Sequence, residues 1–337
     1  MAAVEHRSEG RASAGAIPVI DVGSYLVGAP GALETVADGI RFALENVGFF
    51  VIVNHDVPRG LIARTFAEAR RIHGLDAAVK MALRMNEHNN GYMAMARYTV
   101  QTAEVNAGAA PDLNEAFFVK RERPPDDPLR RSGRRFLGPN VWPDGHDLPG
   151  FRENVLAYTD AMDRFGRRML PAVASALDLR PGWFDSAFEE SQFSFRLSHY
   201  PPVTPGENQF GIAPHTDVNF MTFLPQSEVP GLEVLLPSGQ WETVPEIPGS
   251  FAVNSGDTLH RWTNGRFRST AHRARPPAGT HRYAIPFFLG PHVDTLIECL
   301  PTCREEGGEP RFAPITYGDF LEWWYTANYP PERQDDD

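Results

Sequence analysis

The residues most able to do chemistry are a histidine and an aspartate two positions apart, His215 and Asp217. On a β-strand, residues two apart point to the same side, so both side chains can face one cavity. Two imidazoles and one carboxylate form a ligand set that holds iron(II) on one face and leaves positions open for oxygen. The pair therefore predicts a metal site that takes a second histidine from elsewhere in the chain.

The pair alone is weak evidence, because the chain contains a second one at His292 and Asp294. Histidine and aspartate are frequent enough here for roughly one such pair to arise by chance. The sequence that follows each pair distinguishes the two. No histidine follows His292, whereas three histidines follow the first pair before that point.

These three histidines are the candidates for the third ligand. His281 precedes Arg282 in a predicted strand, so it faces away from the cavity if Arg282 faces in. His260 lies before the Asn264-Gly265 turn signal, where a surface or supporting role is open to it. His272 follows that turn in a run able to return as a strand. The residues by themselves leave the choice open.

The elements that must position these side chains are short strands. From Ser191 onward, apolar runs separated by Pro and Gly predict an all-β sandwich, barrel or jelly roll. The runs are FSFRLSHY, NFMTFL, LEVLL, SFAVN and RYAIPFFL. A helix precedes them, from Phe151 to Leu177, with apolar residues at steps of three or four and Pro181 as its end.

The N-terminal third mixes strands and helices, and its end is irregular. Residues 85–148 are predicted to form long loops around a few strand pieces. Asn89-Asn90-Gly91-Tyr92 within them is a turn signal that would suit a lid. The other predicted elements are a strand at Ile17–Asp21, a helix at Leu33–Glu45, a strand at Val47–Val53, a helix at Leu61–Leu83 and a final helix at Tyr317–Asn328.

The composition of the chain indicates which kinds of binding partner to expect. The net charge of −11 over 337 residues disfavours a grip on nucleic acid phosphates. No apolar run reaches the roughly 18 residues that a membrane span needs. Cys299 and Cys303 are the only cysteines, which favours ordinary thiols in the cytoplasm. We expect a monomer that acts on a small molecule, with no nucleic acid and no membrane as partner.

Several linked motifs carry a family resemblance, in the order APHTDVNFMTFL, GLEVLLPSGQWETVPEIPGSFAVNSGD, RWTNGRFRSTAHR and RYAIPFFLGP. From Phe193 to Pro291 they resemble the isopenicillin N synthase-like branch of the 2-oxoglutarate/Fe(II)-dependent oxygenase superfamily. IPVIDVGSYL and ALENVGFFVIVNHDVP resemble the N-terminal region of that family more loosely.

The resemblance implies an α+β fold with a mainly β core. This is a double-stranded β-helix, or jelly roll, with an N-terminal helical region and flanking support helices. The implied domains are a disordered lead at 1–15, the N-terminal region at 16–135, the jelly-roll core with support helices at 136–330 and an acidic tail at 331–337.

The implied iron ligands are His215, Asp217 and His272. The resemblance places Arg282 on the distal carboxylate of 2-oxoglutarate, with Tyr200 and Ser198 as further co-substrate contacts. It implies that Fe(II), 2-oxoglutarate and O₂ together hydroxylate, desaturate or cyclise a small metabolite through an iron(IV)-oxo species, with release of succinate and CO₂.

Ala284 departs from the family pattern, which has a serine two residues after the arginine. A missing hydroxyl there would weaken 2-oxoglutarate binding unless another donor replaces it. Two alternatives follow: an oxidase of the same fold that uses O₂ without 2-oxoglutarate, and a non-catalytic jelly roll that binds a ligand. The predicted pocket residues are Met93, Met95, Tyr98, Asn114 to Phe118, Asn219 and Met221.

Overall fold

The structure is a computed structural model that describes residues 17–96, 110–304 and 307–328. The predicted lead at 1–15, the tail at 331–337 and Tyr98 lie outside the described residues. The strands in chain order are β1 Val19–Asp21, β2 Phe49–Val53, β3 Gly91–Met93, β4 Glu115–Lys120, β5 Gln192–Tyr200, β6 Ile212–His215, β7 Met221–Pro225, β8 Leu232–Leu235, β9 Trp241–Thr243, β10 Phe251–Ser255, β11 His272–Ala274, β12 Arg282–Ala284, β13 Phe287–Gly290, β14 Leu296–Ile297 and β15 Ile315–Thr316.

Helices surround these strands. In chain order they are α1 Gly23–Leu26, α2 Ala32–Asn46, α3 Arg59–His73, α4 Ala77–Ala82, α5 Pro128–Arg131, α6 Phe151–Ala176, α7 Asp185–Phe188, α8 Asp257–Trp262 and α9 Tyr317–Asn328. In the part of the chain that the structure describes, no helix combines the length and the apolar composition of a membrane span.

Two sheets form the core of the molecule. The larger one has the order β1-β2-β10-β7-β13-β5-β4-β3, with β12 also paired to β5, and the smaller one has the order β6-β11-β8-β9. Within the described residues no backbone ladder joins one sheet to the other, so the strands form an open two-sheet arrangement and no closed barrel. The predicted mainly β core with flanking helices is confirmed.

Helix α6 supports the larger sheet. Its buried face follows the predicted period, and Phe165 packs edge-on against Phe223 of β7, with ring centroids 5.6 Å apart. Gly166 allows the close approach: an added Cβ would lie 2.9 Å from a methyl carbon of Leu289 in β13. α6 ends at Ala176, before Pro181, because Asp178 takes a left-handed conformation with φ 59°.

Two predicted elements are interrupted. The helix expected at Leu61–Leu83 is divided into α3 and α4 by Gly74, whose low helix propensity favours an end there. The run RYAIPFFL is divided into β12 and β13, because Pro286 has no N–H to donate to a ladder. The predicted boundary between the domains at residue 135 stays a prediction.

Strand β5 borders the functional site. Its side chains alternate, so Gln192, Ser194, Arg196, Ser198 and Tyr200 share one face. The opposite face carries Phe193, Phe195 and Leu197 into the core.

Candidate active site

Strands β6 and β11 bring two histidines directly opposite each other. His215 ends β6 and His272 begins β11, and the two residues are partners in the antiparallel register. Their rings have centroids 4.3 Å apart. Asp217 Oδ1 lies 3.8 Å from His215 Nε2 and 3.7 Å from His272 Nε2. The three candidate ligand atoms therefore face one small volume.

Backbone carbonyls fix which nitrogen of each histidine faces that volume. His215 Nδ1 lies 2.9 Å from the carbonyl oxygen of Ala213, and His272 Nδ1 lies 3.2 Å from that of Thr270. A carbonyl only accepts, so Nδ1 must carry the proton and Nε2 keeps its lone pair. This is the tautomer in which a histidine binds a metal through Nε2.

The carboxylate of Asp217 is oriented by two donors from the larger sheet. Thr222 Oγ1 donates to Oδ2 at 2.6 Å, and Asn254 Nδ2 donates to the same oxygen at 2.8 Å. Oδ2 is thereby engaged, and Oδ1 is left toward the histidines. A ligand carboxylate held in this way by outer partners is a common feature of metal sites.

The charges of the cluster suit a cation. Burial, followed by the nearby His272, lowers the pKa of His215 to about 4. Burial alone would raise the pKa of Asp217, but His272 and His215 outweigh that effect and the pKa lies below its usual range. A neutral imidazole beside an ionised carboxylate is the protonation state that a metal ligand set requires.

The other histidines considered from sequence lie elsewhere. His260 is in α8, where its Nδ1 lies 2.6 Å from the carbonyl oxygen of Phe267. His281 turns away from the cavity, as predicted, and its Nδ1 lies 2.8 Å from His199 Nε2. His292 lies 3.9 Å from Asp294. Within the described residues no further ligand joins that pair.

A cavity of about 590 Å³, counting space open to solvent, begins at the three ligand residues and is called the Arg282 cavity here. It is also lined by the predicted co-substrate residues Arg282, Tyr200 and Ser198, and by Ala284. The structure thus brings together all six residues that the resemblance selected.

Arg282 is buried there without an acidic partner in the described part of the chain. It is 4 % exposed, its Nε donates to the carbonyl oxygen of Val229 at 3.1 Å, and its Nη1 has no hydrogen-bond partner. The guanidinium lies over the ring of Tyr200, 4.7 Å from the centroid. An unpaired buried cation is costly, so an anionic ligand is expected against Nη1.

A second cavity of about 840 Å³, again counting space open to solvent, adjoins the first and is called the aromatic cavity. Of the predicted pocket residues, Met93, Phe118 and Asn219 line it. Met95 is exposed instead, and Met221 packs into the core.

Two more of the predicted pocket residues and the predicted lid are also corrected. Glu115 and Phe117 point to the opposite face of β4, because strand side chains alternate. The turn forms earlier than predicted, where the N–H of Asn89 donates to the carbonyl oxygen of Asn86 at 2.9 Å. Asn89 ends this turn with φ 56°, and Asn90, Gly91 and Tyr92 lead into β3. These residues are buried against the sheet, so they do not form an exposed lid.

Sequence reasoning missed Arg196, Thr222 and Asn254. Arg196 lines both cavities, while the other two hold Asp217. Arg196 could have been found from the alternation along FSFRLSHY, since it shares a face with Ser198. The supports of Asp217 carry no such signal, because they come from strands far apart in the chain.

A second group also brings two imidazoles and a carboxylate together: His73, Glu115 and His199. Its carboxylate is already engaged by hydrogen bonds. Glu115 Oε2 accepts from Lys80 Nζ at 2.8 Å and from the hydroxyl of Tyr92, and Oε1 lies 2.7 Å from His199 Nδ1. An ammonium group this close repels a metal cation, so the group is an ion-pair network that joins α3, α4, β4 and β5.

Glu115→Gln should destabilise the fold. Burial alone would raise the pKa of Glu115, but hydrogen bonds from His199 and Lys80, with His73 Nδ1 3.5 Å from Oε1, hold it well below the usual range. We expect a loss of about 3 kcal/mol in the free energy of unfolding at pH 7, from urea denaturation, because the buried partners lose their anion.

The pH dependence supplies the check. A carboxyl whose folded pKa is depressed stabilises the fold above its unfolded pKa of about 4.3, and that contribution fades as the pH falls further. The difference between wild type and Glu115→Gln should therefore shrink below about pH 4. Glu189→Gln, at an exposed position, serves as the control. A difference that stays constant with pH would contradict the ion-pair role.

Comparison with known proteins agrees with this geometry. Residues 191–291 match the 2OG-Fe(II) oxygenase superfamily, and residues 17–145 match the N-terminal region described as non-haem dioxygenase in morphine synthesis. The 2-oxoglutarate-Fe(II) type oxidoreductase hxnY of Emericella nidulans is 34% identical over 320 residues, covering 93% of this chain and 90% of that protein. Validamycin A dioxygenase of Streptomyces hygroscopicus subsp. limoneus is 30% identical, covering 91% and 85%.

Solved structures show the same fold. A full-length Neurospora crassa protein in complex with alpha-KG superposes with a TM-score of 0.81 at 28% identity, covering 92% of this chain and 96% of that one. A second structure of that protein holds alpha-KG and thymine, with a TM-score of 0.80, 28% identity and coverage of 90% and 95%. From its motifs, its fold and these relatives, the chain belongs to the 2OG-Fe(II) oxygenase superfamily and is a 2-oxoglutarate-dependent dioxygenase that uses Fe(II) and O₂.

Proposed function

We propose that His215, Asp217 and His272 hold the Fe(II), and that Arg282 binds the distal carboxylate of 2-oxoglutarate. The observation that carries this is the unpartnered Nη1 of Arg282, buried in the same cavity as the three ligand residues. A planar guanidinium suits a carboxylate because it can donate two parallel hydrogen bonds.

The chain's own groups prepare this site. The carbonyls of Ala213 and Thr270 keep both Nε2 lone pairs available, and Asp217 supplies one negative charge. Tyr200 holds the Arg282 guanidinium by its ring face. Buried apolar side chains such as Phe49 and Ala252 also line the cavity, and such surroundings strengthen each polar contact. Bound iron would supply the oxidation chemistry, and the protein supplies binding and orientation.

The primary substrate is a small organic metabolite that is hydroxylated, desaturated or cyclised. The size of the aromatic cavity supports this, since cavities of several hundred Å³ suit small molecules. Location in the cytoplasm, a monomeric state and the absence of nucleic acid and membrane partners stay predictions from composition.

Ser198 supplies the hydroxyl that Ala284 lacks. The two residues are directly opposite in the register of β5 and β12, so their side chains share a face about 5 Å apart. Ser198 Oγ is buried without a hydrogen-bond partner and lines the Arg282 cavity. A hydroxyl on either strand can therefore reach the same carboxylate as Arg282.

Ser198→Ala should weaken 2-oxoglutarate binding about tenfold, because a hydrogen bond to a charged group contributes about 1.5–3 kcal/mol. The double variant Ser198→Ala/Ala284→Ser should recover most of that loss. Calorimetric titration of the Fe(II) protein without oxygen measures both. If wild type and Ser198→Ala bind 2-oxoglutarate with equal affinity, Ser198 does not contact the co-substrate.

One assay tests the function itself. Protein loaded with Fe(II) is incubated with 2-oxoglutarate, O₂ and a mixture of small metabolites, and succinate is measured. We expect succinate to depend on all three additions and on Asp217. Consumption of O₂ without succinate would instead favour the oxidase that works without 2-oxoglutarate, which the relatives do not favour.

A further inference from the structure

The aromatic cavity is apolar on most of its walls. The apolar side chains that line it come from several elements and include Met93, Phe118, Phe136, Phe288, Leu321 and Trp324. It shares Arg196, His215 and Asp217 with the Arg282 cavity, so its inner end lies at the metal ligands. A molecule bound there would lie against the reacting centre.

One wall of this cavity is polar and carries three side-chain atoms without a hydrogen-bond partner among the residues that the structure describes. Gln192, Ser194 and Arg196 occupy alternate positions of β5, with about 6.6 Å between successive Cα atoms. Gln192 Oε1, Ser194 Oγ and Arg196 Nε are all buried without a hydrogen-bond partner in the described part of the chain. Each such group costs about 1–3 kcal/mol when left unsatisfied. Three such atoms on one face of β5 indicate a surface that binds a ligand.

Arg196 also lacks a counter-charge. It is 8 % exposed, its Nη2 donates to Asn114 Oδ1, and its guanidinium lies 5.2 Å from the ring centroid of Phe118. No carboxylate among the described residues forms an ion pair with it within 4 Å. Asn114 is neutral and Phe118 offers only its ring face, so no direct contact neutralises the positive charge.

The other acidic and basic side chains that line the cavity are Asp112 and Lys120, together with His215 and Asp217 of the candidate metal site. Asp112 accepts the N–H of Ala213 at 2.8 Å, and burial raises its pKa to about 7, which limits its negative charge. Lys120 donates to the carbonyl of Asn89 and to Asn90 Oδ1 at 3.0 Å, and burial lowers its pKa to about 7, which limits its positive charge. The charges of Asp112 and Lys120 are therefore limited to a similar extent, and Arg196 is the side chain at the polar wall that can pair with an anion.

We infer that the primary substrate is a small organic acid with a largely apolar or aromatic body, whose carboxylate pairs with Arg196. The body packs against Phe118 and Phe288, and a polar group at the far end meets Gln192. This inference rests on the proposed function, since it names the substrate class of the same site. 2-Oxoglutarate would not take this role, because Arg282 would bind its distal carboxylate and the iron would bind its C1 carboxylate.

The test uses Fe(II) protein with 2-oxoglutarate bound and no oxygen. The probes are 3-phenylpropionate, cinnamate and naphthoate, each with its neutral primary amide, and binding is followed by calorimetry. We expect at least one acid to bind wild type about tenfold or more tighter than its amide. Arg196→Gln should abolish that preference, and Arg196→Lys should keep part of it.

The controls separate this inference from the proposed function. Arg64→Met, at an exposed position of α3, should behave as wild type. Arg196→Gln should change the 2-oxoglutarate affinity by less than about threefold, which also shows that the variant is folded. Equal binding of acids and amides, no binding of any acid, or a loss of 2-oxoglutarate affinity in Arg196→Gln would each overturn the inference. Failure of wild type to bind 2-oxoglutarate would instead overturn the proposed function.

Discussion

His272→Ala should abolish both iron retention and turnover. Its Nε2 is one of the three proposed ligand atoms around the common volume, and the variant leaves two. A bound metal supplies several kcal/mol of transition-state stabilisation, so its loss corresponds to at least about a thousandfold decrease in turnover. Iron content after desalting and succinate formation measure the two effects separately.

His260→Ala is the matched control. His260 also hydrogen bonds to a backbone carbonyl through Nδ1, but it lies in α8 and does not belong to the ligand cluster. We expect it to retain stoichiometric iron. If His272→Ala retains iron and His260→Ala loses it, His260 rather than His272 binds the metal, and the assignment is wrong.

Arg282→Met should weaken 2-oxoglutarate binding about 30-fold or more, with iron binding unchanged. Removing one partner of a buried charge pair costs about 2–5 kcal/mol. The apo-protein should lose little stability, because the variant removes an unpaired buried charge along with the hydrogen bond to Val229. Thermal unfolding is measured with and without 2-oxoglutarate. The weaker binding should appear as a smaller stabilisation by the ligand in the variant than in wild type.

Arg282→Lys refines this result. A lysine keeps the charge but cannot offer a planar pair of donors, so we expect an intermediate affinity. Arg64→Met again serves as the control for loss of an exposed arginine. If Arg282→Met binds 2-oxoglutarate as wild type does, the carboxylate lies elsewhere and Arg282 has a structural role.

The sequence was most informative where a motif is short and local. His215 and Asp217 could be paired from strand alternation, and the turn before His272 indicated a return strand. The direct pairing of His215 with His272 could not be predicted, because β6 and β11 are only four and three residues long and carry no clear period. Their register depends on contacts across the sheet.

The residues that surround the ligands were hardest to predict. Thr222 and Asn254 act on Asp217 from β7 and β10, which are neighbours only in the folded sheet. Arg196 looks like any charged residue in a strand until the fold shows that its side chain is buried without a counter-ion. Helix ends were also difficult to predict. Gly74 divides α3 from α4, although the apolar pattern continues to Leu83.

The most direct test of the central claim is a spectrum. Protein prepared without oxygen receives Fe(II) and then 2-oxoglutarate, and visible absorbance is recorded. We predict a weak charge-transfer band in wild type that is lost in Asp217→Ala and needs far more 2-oxoglutarate in Arg282→Met. Absence of the band in wild type that retains its iron would contradict the claim that these residues form a 2-oxoglutarate-dependent iron site.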